Sequence, residues 1–283
     1  MSKLLHPTIH IVSTEIESLD AVANYLLVQA GTAFIGFASF SPGSKQVYGW
    51  VVYQLDAAVT NLQLEEKLSG IAAANPWVHS NYQKILLVQY AAGNVLLPAV
   101  LNRDEWKENL LELAHGPQQH QLFVKDVVVQ QSLVNHYVVD GTLGALLNKR
   151  FPKGEWWHVQ SLLLTQNAAG STTVTATIRF QEVQITVEKN GQWLLLQSYH
   201  YHTPEDVLYY ILNAMQQLEL SQEEATVWLQ GMIDQRSALY DVLYNYILNL
   251  KLKEPLVYQF PATTEEHPAH LSASLDQVLA CVS

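Results

Sequence analysis

Residues 172–203 read TTVTATIRFQEVQITVEKNGQWLLLQSYHYHT, and the alternation within this stretch decides the fold. Val174, Ala176, Ile178 and Phe180 alternate with Thr173, Thr175, Thr177 and Arg179, the two-residue period of a half-buried strand. After a tight turn at Gln181–Glu182 the alternation resumes with Val183, Ile185 and Val187. Asn190-Gly191 tolerates positive φ and leads into a third strand, Trp193–Tyr201. Connections this short require antiparallel neighbours.

A helix follows at once. Thr203 caps it, Pro204 suits the first helical position, and Glu205 and Asp206 place negative charge at the positive end of the dipole. Val207, Ile211, Met215 and Leu218 form its apolar stripe. A compact strand, Thr226–Leu229, ends at Gly231, and a second amphipathic helix carries Leu239, Val242, Leu243, Tyr246 and Ile247. Alternating buried strand and amphipathic helix indicates an α/β layer.

The same succession occurs about 150 residues earlier. Strands are expected from Tyr25 through Phe40 and over Val47–Leu55. A helix after Asp56 then carries Leu64, Leu68, Ile71 and Ala72, and a buried strand spans Ile85–Tyr90. Between the copies the pattern predicts strands at Val95–Leu101 and Val127–Val129, helices at Asp104–Ala114 and Gly141–Arg150, and a strand at Trp156–Thr165. Pro152–Gly154 marks the expected junction between lobes 1–153 and 154–283.

Composition narrows the function classes. The 283 residues hold 26 acids and 15 bases, a formal charge of −11, which opposes direct binding of nucleic acid. Lys149, Arg150 and Lys153 are the nearest approach to a basic patch. A single cysteine, Cys281, rules out an intramolecular disulfide, and no Cys or His spacing matches a zinc site. Ala21–Ser44 carries no charge, yet Asn24, Gln29, Thr32 and Ser39 interrupt it and Gly31 and Gly36 punctuate it, so a buried hairpin fits better than a membrane span. Met1–Ile16 lacks the apolar core of a signal peptide, and a cytoplasmic protein is expected.

Two copies of strand-strand-strand-helix-strand match the plan of the actin, Hsp70 and sugar-kinase ATPases. Ser198–Leu212 (SYHYHTPEDVLYYIL), Val227–Gly231 (VWLQG) and Leu239–Asn249 (LYDVLYNYILN) resemble the DUF3822 family of Bacteroidetes proteins. So do Leu97-Pro98, Asn148–Pro152 (NKRFP) and the apolar C-terminal segment with Cys281. The resemblance implies an actin-like ATPase (ribonuclease H-like) α/β fold. Its two related lobes would each hold a mixed five-stranded sheet flanked by helices.

Catalytic members of that superfamily clamp phosphates and a metal with two glycine-rich hairpin turns, each opened by an aspartate. Here the first turn is Gln29-Ala30-Gly31-Thr32-Ala33. Gly31 and Thr32 match the pattern, but Gln29 takes the aspartate position and supplies no charged metal ligand. The second turn, Phe180-Gln181-Glu182-Val183, has no glycine. The strand end that receives adenosine normally carries two glycines, and here it reads Leu229-Gln230-Gly231-Met232. Gly31, Thr32 and Gly231 are therefore vestigial nucleotide-site candidates, with no catalytic residue, no metal ligand and no cofactor assigned. The expectation is a pseudo-ATPase acting through an unidentified protein partner. The alternatives are a nucleotide-dependent switch or phosphotransferase with a divergent site for ATP and Mg²⁺, or a binder of another small molecule between the lobes.

Other features have plain explanations. Asp140 before Gly141-Thr142 reads as a helix N-cap, and His200 with His202 as structural residues on one strand face rather than a metal pair. Tyr199, Tyr201, Tyr209 and Tyr210 suit packing or an interface. The Trp156-Trp157 pair suits either a partner surface or the lobe junction, and Cys281 reads as buried and inert.

Overall fold

The computed structural model of the protein describes residues 6–18, 21–55, 61–90, 92–117, 120–166, 170–261 and 267–282. The chain divides into two compact units. One is Met1–Thr165 with Gln259–Ala262, and the other is Gln166–Tyr258 with Thr263–Val282.

The first unit begins with β1 (Ile9–Val12), β2 (Tyr25–Ala30), β3 (Phe34–Ser41) and β4 (Gln46–Gln54), then α1 (Asn61–Ala74) and β5 (Lys84–Gln89). An insertion follows: β6 (Asn94–Pro98), α2 (Lys107–His115), β7 (Gln121–Val128), β8 (Leu133–Asp140) and α3 (Gly141–Arg150). The unit closes with β9 (Gly154–His158) and α4 (Val159–Leu163). The main sheet has the order β1-β4-β3-β2-β5-β9, and β6-β8-β7 form a separate antiparallel sheet. β2, β3 and β4 are an antiparallel meander, while β5 runs parallel to β2 and β9 parallel to β5. β1 makes this sheet six-stranded rather than five by pairing antiparallel with the outer edge of β4.

The uncharged stretch 21–44 contains β2 and β3, which are buried on both faces and so leave no place for a charge. Leu64, Leu68, Ile71 and Ala72 of α1 are buried as the stripe predicts. Asp56, expected to open this helix, lies outside the described residues.

One strand of this unit is unforeseen and two expectations need correcting. β8 escapes the sequence pattern because Asn135 and His136 break its apolar run. Both are nevertheless buried, Asn135 bonded to Ser161 and Asn94, and His136 to Asn102. The strand expected over Trp156–Thr165 stops at His158, whose ring accepts from Gln160 N–H at 3.3 Å and caps α4. A boundary at 153 would cut β9 from β5, with which it pairs from Ile85–Gly154 to Gln89–His158, and the first unit accordingly runs on to Thr165.

The second unit holds β10 (Thr173–Arg179), β11 (Glu182–Lys189), β12 (Gln192–His200), α5 (Pro204–Gln217), β13 (Thr226–Gly231), α6 (Ala238–Tyr246), β14 (Leu250–Leu252) and α7 (Ala269–Cys281). Its five-stranded sheet, β12-β11-β10-β13-β14, repeats the order and directions of β4-β3-β2-β5-β9. Asn190 and Gly191 both have positive φ at the β11–β12 turn. Thr203 and Asp206 form a reciprocal capping box on α5. Val174, Ala176, Ile178, Val183, Ile185 and Val187 pack against Val207, Ile211 and Met215 of α5 and Leu243 of α6. The opposite parity is polar and also buried: Thr175, Thr177, Gln184, Thr186 and Gln230. On that side Gln230 Nε2 donates to Thr177 Oγ1 at 2.8 Å and to Gln277 Oε1 of α7 at 2.9 Å.

Candidate functional site

The β2–β3 turn is closed by Gly31 N–H donating to Phe34 O at 3.0 Å. A Cβ on residue 31 would overlap the Phe34 ring, so the glycine makes room for an aromatic side chain that packs edge-on against Tyr90 at 5.7 Å. Thr32 is exposed at the tip. Gln29, at the expected aspartate position, is 5% exposed. Its Oε1 accepts from Trp50 Nε1 at 2.9 Å and its Nε2 donates to Tyr90 Oη at 3.0 Å. Gly36 across the ladder has no side chain because the Gln29 amide occupies that space. A carboxamide suits this setting, since it offers one acceptor and one donor at no charge. In this unit, then, the turn is built around packed aromatic side chains and a neutral amide.

The corresponding β10–β11 turn places Phe180 at φ +38° in the left-handed region without a glycine. Two bonds from one residue hold it: Tyr201 Oη donates to Phe180 O at 2.7 Å, and Tyr201 N–H donates to Gln181 O at 3.0 Å. The flanking Arg179 and Glu182 are buried, and Arg179 donates to Gln184 Oε1 at 3.2 Å. Gly231 ends β13 with φ +87°, and a Cβ there would strike the Ile178 carbonyl oxygen. Met232 N–H donates to that same oxygen at 2.8 Å. Gly231 thus serves a tight strand exit. Gly31 and Thr32 share one turn of the first unit, and Gly231 belongs to the second.

The remaining candidates fall as follows. Asp140 caps α3, accepting from Leu143 N–H at 2.8 Å. His200 ends β12 with Nε2 3.6 Å from Glu182 Oε1. His202 lies beyond the strand, not on one face with His200, because its N–H joins the Asp206 carboxylate at the start of α5. Among the described residues no three His, Cys, Asp or Glu side chains converge to hold a metal ion. Tyr199 and Tyr210 stack at 4.4 Å, while Tyr209 is exposed. Trp156 packs on the first core and donates to Asn148 Oδ1 at 2.8 Å. Cys281 is only partly buried, a correction that follows from its place in the last turn of α7, where Sγ donates to Gln277 O. Lys149 pairs with Glu65 at 3.4 Å, and Arg150 donates to Leu68 O and Ser69 Oγ, so both bases tie α3 to α1. The groove between these helices holds 170 Å³, below the roughly 300 Å³ at which small-molecule sites begin.

Sequence reading missed a buried polar network in the first unit. Asp126 Oδ1 accepts from Tyr137 Oη at 3.1 Å and Oδ2 from His158 N–H at 2.8 Å, and the Ser161 hydroxyl also bonds the carboxylate. Asn135 donates to Ser161 Oγ, and Asn94 donates to Asn135 Oδ1 and Gln160 Oε1, each at 2.9 Å. Burial outweighs the hydrogen bonds and pushes Asp126 up to about 6. The Tyr137 hydroxyl is also raised, by burial and then by the neighbouring carboxylate. The members lie on β6, β7, β8, β9 and α4, so no local window shows the cluster. The arrangement fastens the inserted sheet to the β9–α4 junction.

The DUF3822 family model, protein of unknown function, matches residues 14–250. The chain belongs to the DUF3822 family. This DUF3822 chain is similar to a Bacteroides thetaiotaomicron protein with an actin-like ATPase fold and unknown function, at TM-score 0.74 and 18% identity over 93% of this chain and 99% of that one. It is also similar to a chain of the PilM-PilN type IV pilus biogenesis complex, at TM-score 0.51 and 10% identity over 92% and 98%. No curated protein matches the sequence. At these identities the likeness establishes the fold, and the DUF3822 chain has the actin-like ATPase fold. No helix among the described residues is long and apolar enough to cross a membrane.

Proposed function

We propose that this protein is a cytoplasmic pseudo-ATPase that arose by duplication of a single lobe and acts through contacts with a protein partner. The observation that carries the reading is Gln29. A neutral amide locked between Trp50 and Tyr90 stands where phosphate chemistry in this fold calls for an acid. The Phe34 ring over Gly31 and the glycine-free turn at Phe180 support it from two further positions. The recurrence of one strand order in both units supports the duplication. The occurrence of a similar fold in the PilM-PilN complex supports action by contact, at the level of fold alone.

Thermal unfolding with ATP and Mg²⁺ tests the reading. A ligand at a hundred times its Kd adds about 2.7 kcal/mol of stability, a shift of a few degrees for a chain of this size. The expected result is no shift at millimolar nucleotide. A saturable shift, or release of phosphate, would establish instead a nucleotide-dependent switch or phosphotransferase built on Gly31, Thr32 and Gly231.

A further inference from the structure

The two sheets share one strand order but differ at one edge. In the first unit the last meander strand, β4, is closed by β1, with Ile9–Val12 antiparallel to Val52–Gly49. In the second unit the corresponding strand, β12, ends the sheet among the described residues. Its nine residues, QWLLLQSYH, contain no acid, lysine, arginine or proline, the devices that ordinarily protect a sheet edge. The register shift in its pairing with β11 lies near Leu195–Trp193, which leaves Leu195–His200 regular.

The direction of each backbone group follows from one bond. Tyr201 N–H donates toward the β11 side, to Gln181 O. In an antiparallel ladder this orientation recurs at every second residue, so the N–H and C=O groups of Leu196, Ser198 and His200 point away from β11. Tyr210 Oη donates to the His200 carbonyl at 3.1 Å, and the Tyr199–Tyr210 stack braces that end. The outward groups of Leu196 and Ser198, with His200 N–H, form a short ladder face that meets no strand among the described residues; Ser198 is 8% exposed, Leu196 half-buried and His200 exposed.

We propose that this edge pairs with the same edge of a second copy, β12 antiparallel to β12 about a two-fold axis, joining two five-stranded sheets into one. Three observations select a second copy. β1 shows that the equivalent edge of this fold accepts an antiparallel strand. An antiparallel self-pair lets each copy's Leu196 and Ser198 groups satisfy those of the other. Copies carrying −11 each repel over most of their surface, whereas an uncharged strand brings them together with no like charges opposed. The proposal stands whether or not nucleotide binds.

Sedimentation velocity on the full chain, from low micromolar to submillimolar concentration, tests it together with amide exchange. The parent dimerises with rising concentration, and Ser198→Pro, which removes an outward N–H and no β11–β12 bond, weakens association by about tenfold or more. Exchange at the Leu196 and Ser198 amides slows as the parent is concentrated. That second measurement decides the matter should the proline variant fail to fold. A parent that stays monomeric, a folded Ser198→Pro that dimerises as the parent does, or amide exchange at these positions that ignores concentration each overturns the proposal.

Discussion

Gln29 and Asp126 are two buried polar residues with opposite electrostatic logic. Gln29 is neutral, buried and has both ends of its amide bonded, so replacing it by aspartate puts a buried charge beside a hydroxyl and an indole. Gln29→Asp is expected to lose on the order of 3 kcal/mol at pH 7 and less at pH 5, in urea unfolding, because the buried carboxyl regains neutrality as pH falls. Asp126 is held up to about 6 by burial, against an ordinary value of 3.8. Its folded value lies above its unfolded one, so the folded state binds the proton more tightly between those two pH values. Its contribution therefore favours folding in full below pH 4 and is lost as pH rises through 6. Between pH 7 and 4.5 the parent should gain roughly 1–3 kcal/mol that Asp126→Asn does not. Equal pH slopes for the two proteins in urea titrations would show that Asp126 is ionised as freely as in the unfolded chain. Gln29 could be flagged from sequence because a turn motif gives its position meaning. Asp126 could not, since its partners Tyr137, His158 and Ser161 are distant in the chain.

Among the elements, legibility depends on whether the signal is local. The β11–β12 turn and the start of α5 are announced by Asn190-Gly191 and by Thr203-Pro204-Glu205-Asp206, and both form as read. Thr203 Oγ1 accepts from Asp206 N–H at 3.3 Å while the Asp206 carboxylate accepts from the Thr203 and His202 N–H groups. Those backbone bonds, the largest influence on it, hold the Asp206 carboxyl below the usual range. Thr203→Ala should lower stability by about 1 kcal/mol, measured by urea unfolding, with the remaining bonds from Asp206 limiting the loss. A loss near zero would mean that the carboxylate alone caps the helix. β8 and α4 belong to the other class. β8 hides its strand period behind Asn135, which pairs with Asn94 of β6 and Ser161 of α4, and His136, which pairs with Asn102 beyond β6. α4 follows β9 without a connecting turn, and the His158 cap marks where strand becomes helix.

On the scale of the molecule, each unit has its own apolar core, with Ile71 in the first and Ile211 in the second. Ile71→Val and Ile211→Val should each cost about 0.5–1.5 kcal/mol. Combined, they should add to within about 0.5 kcal/mol, because the two side chains sit in different cores. A calorimetric or urea series over the single and double variants reads this directly, and a clear excess over the sum would reveal coupling between the cores. The sequence by itself determined the succession β10-β11-β12-α5-β13-α6, its earlier counterpart β2-β3-β4-α1-β5, and the departures at Gln29, Phe180 and Met232. Each of these is written in a period, a cap or a turn residue within a few positions of chain. Only the tertiary structure decided that Gly31 accommodates Phe34 and Gly231 a carbonyl, that β1 closes one sheet edge, and that Asp126 carries a raised pKa. Those outcomes depend on which distant side chains arrive at the same place and exclude water there, and spacing along the chain holds no record of that.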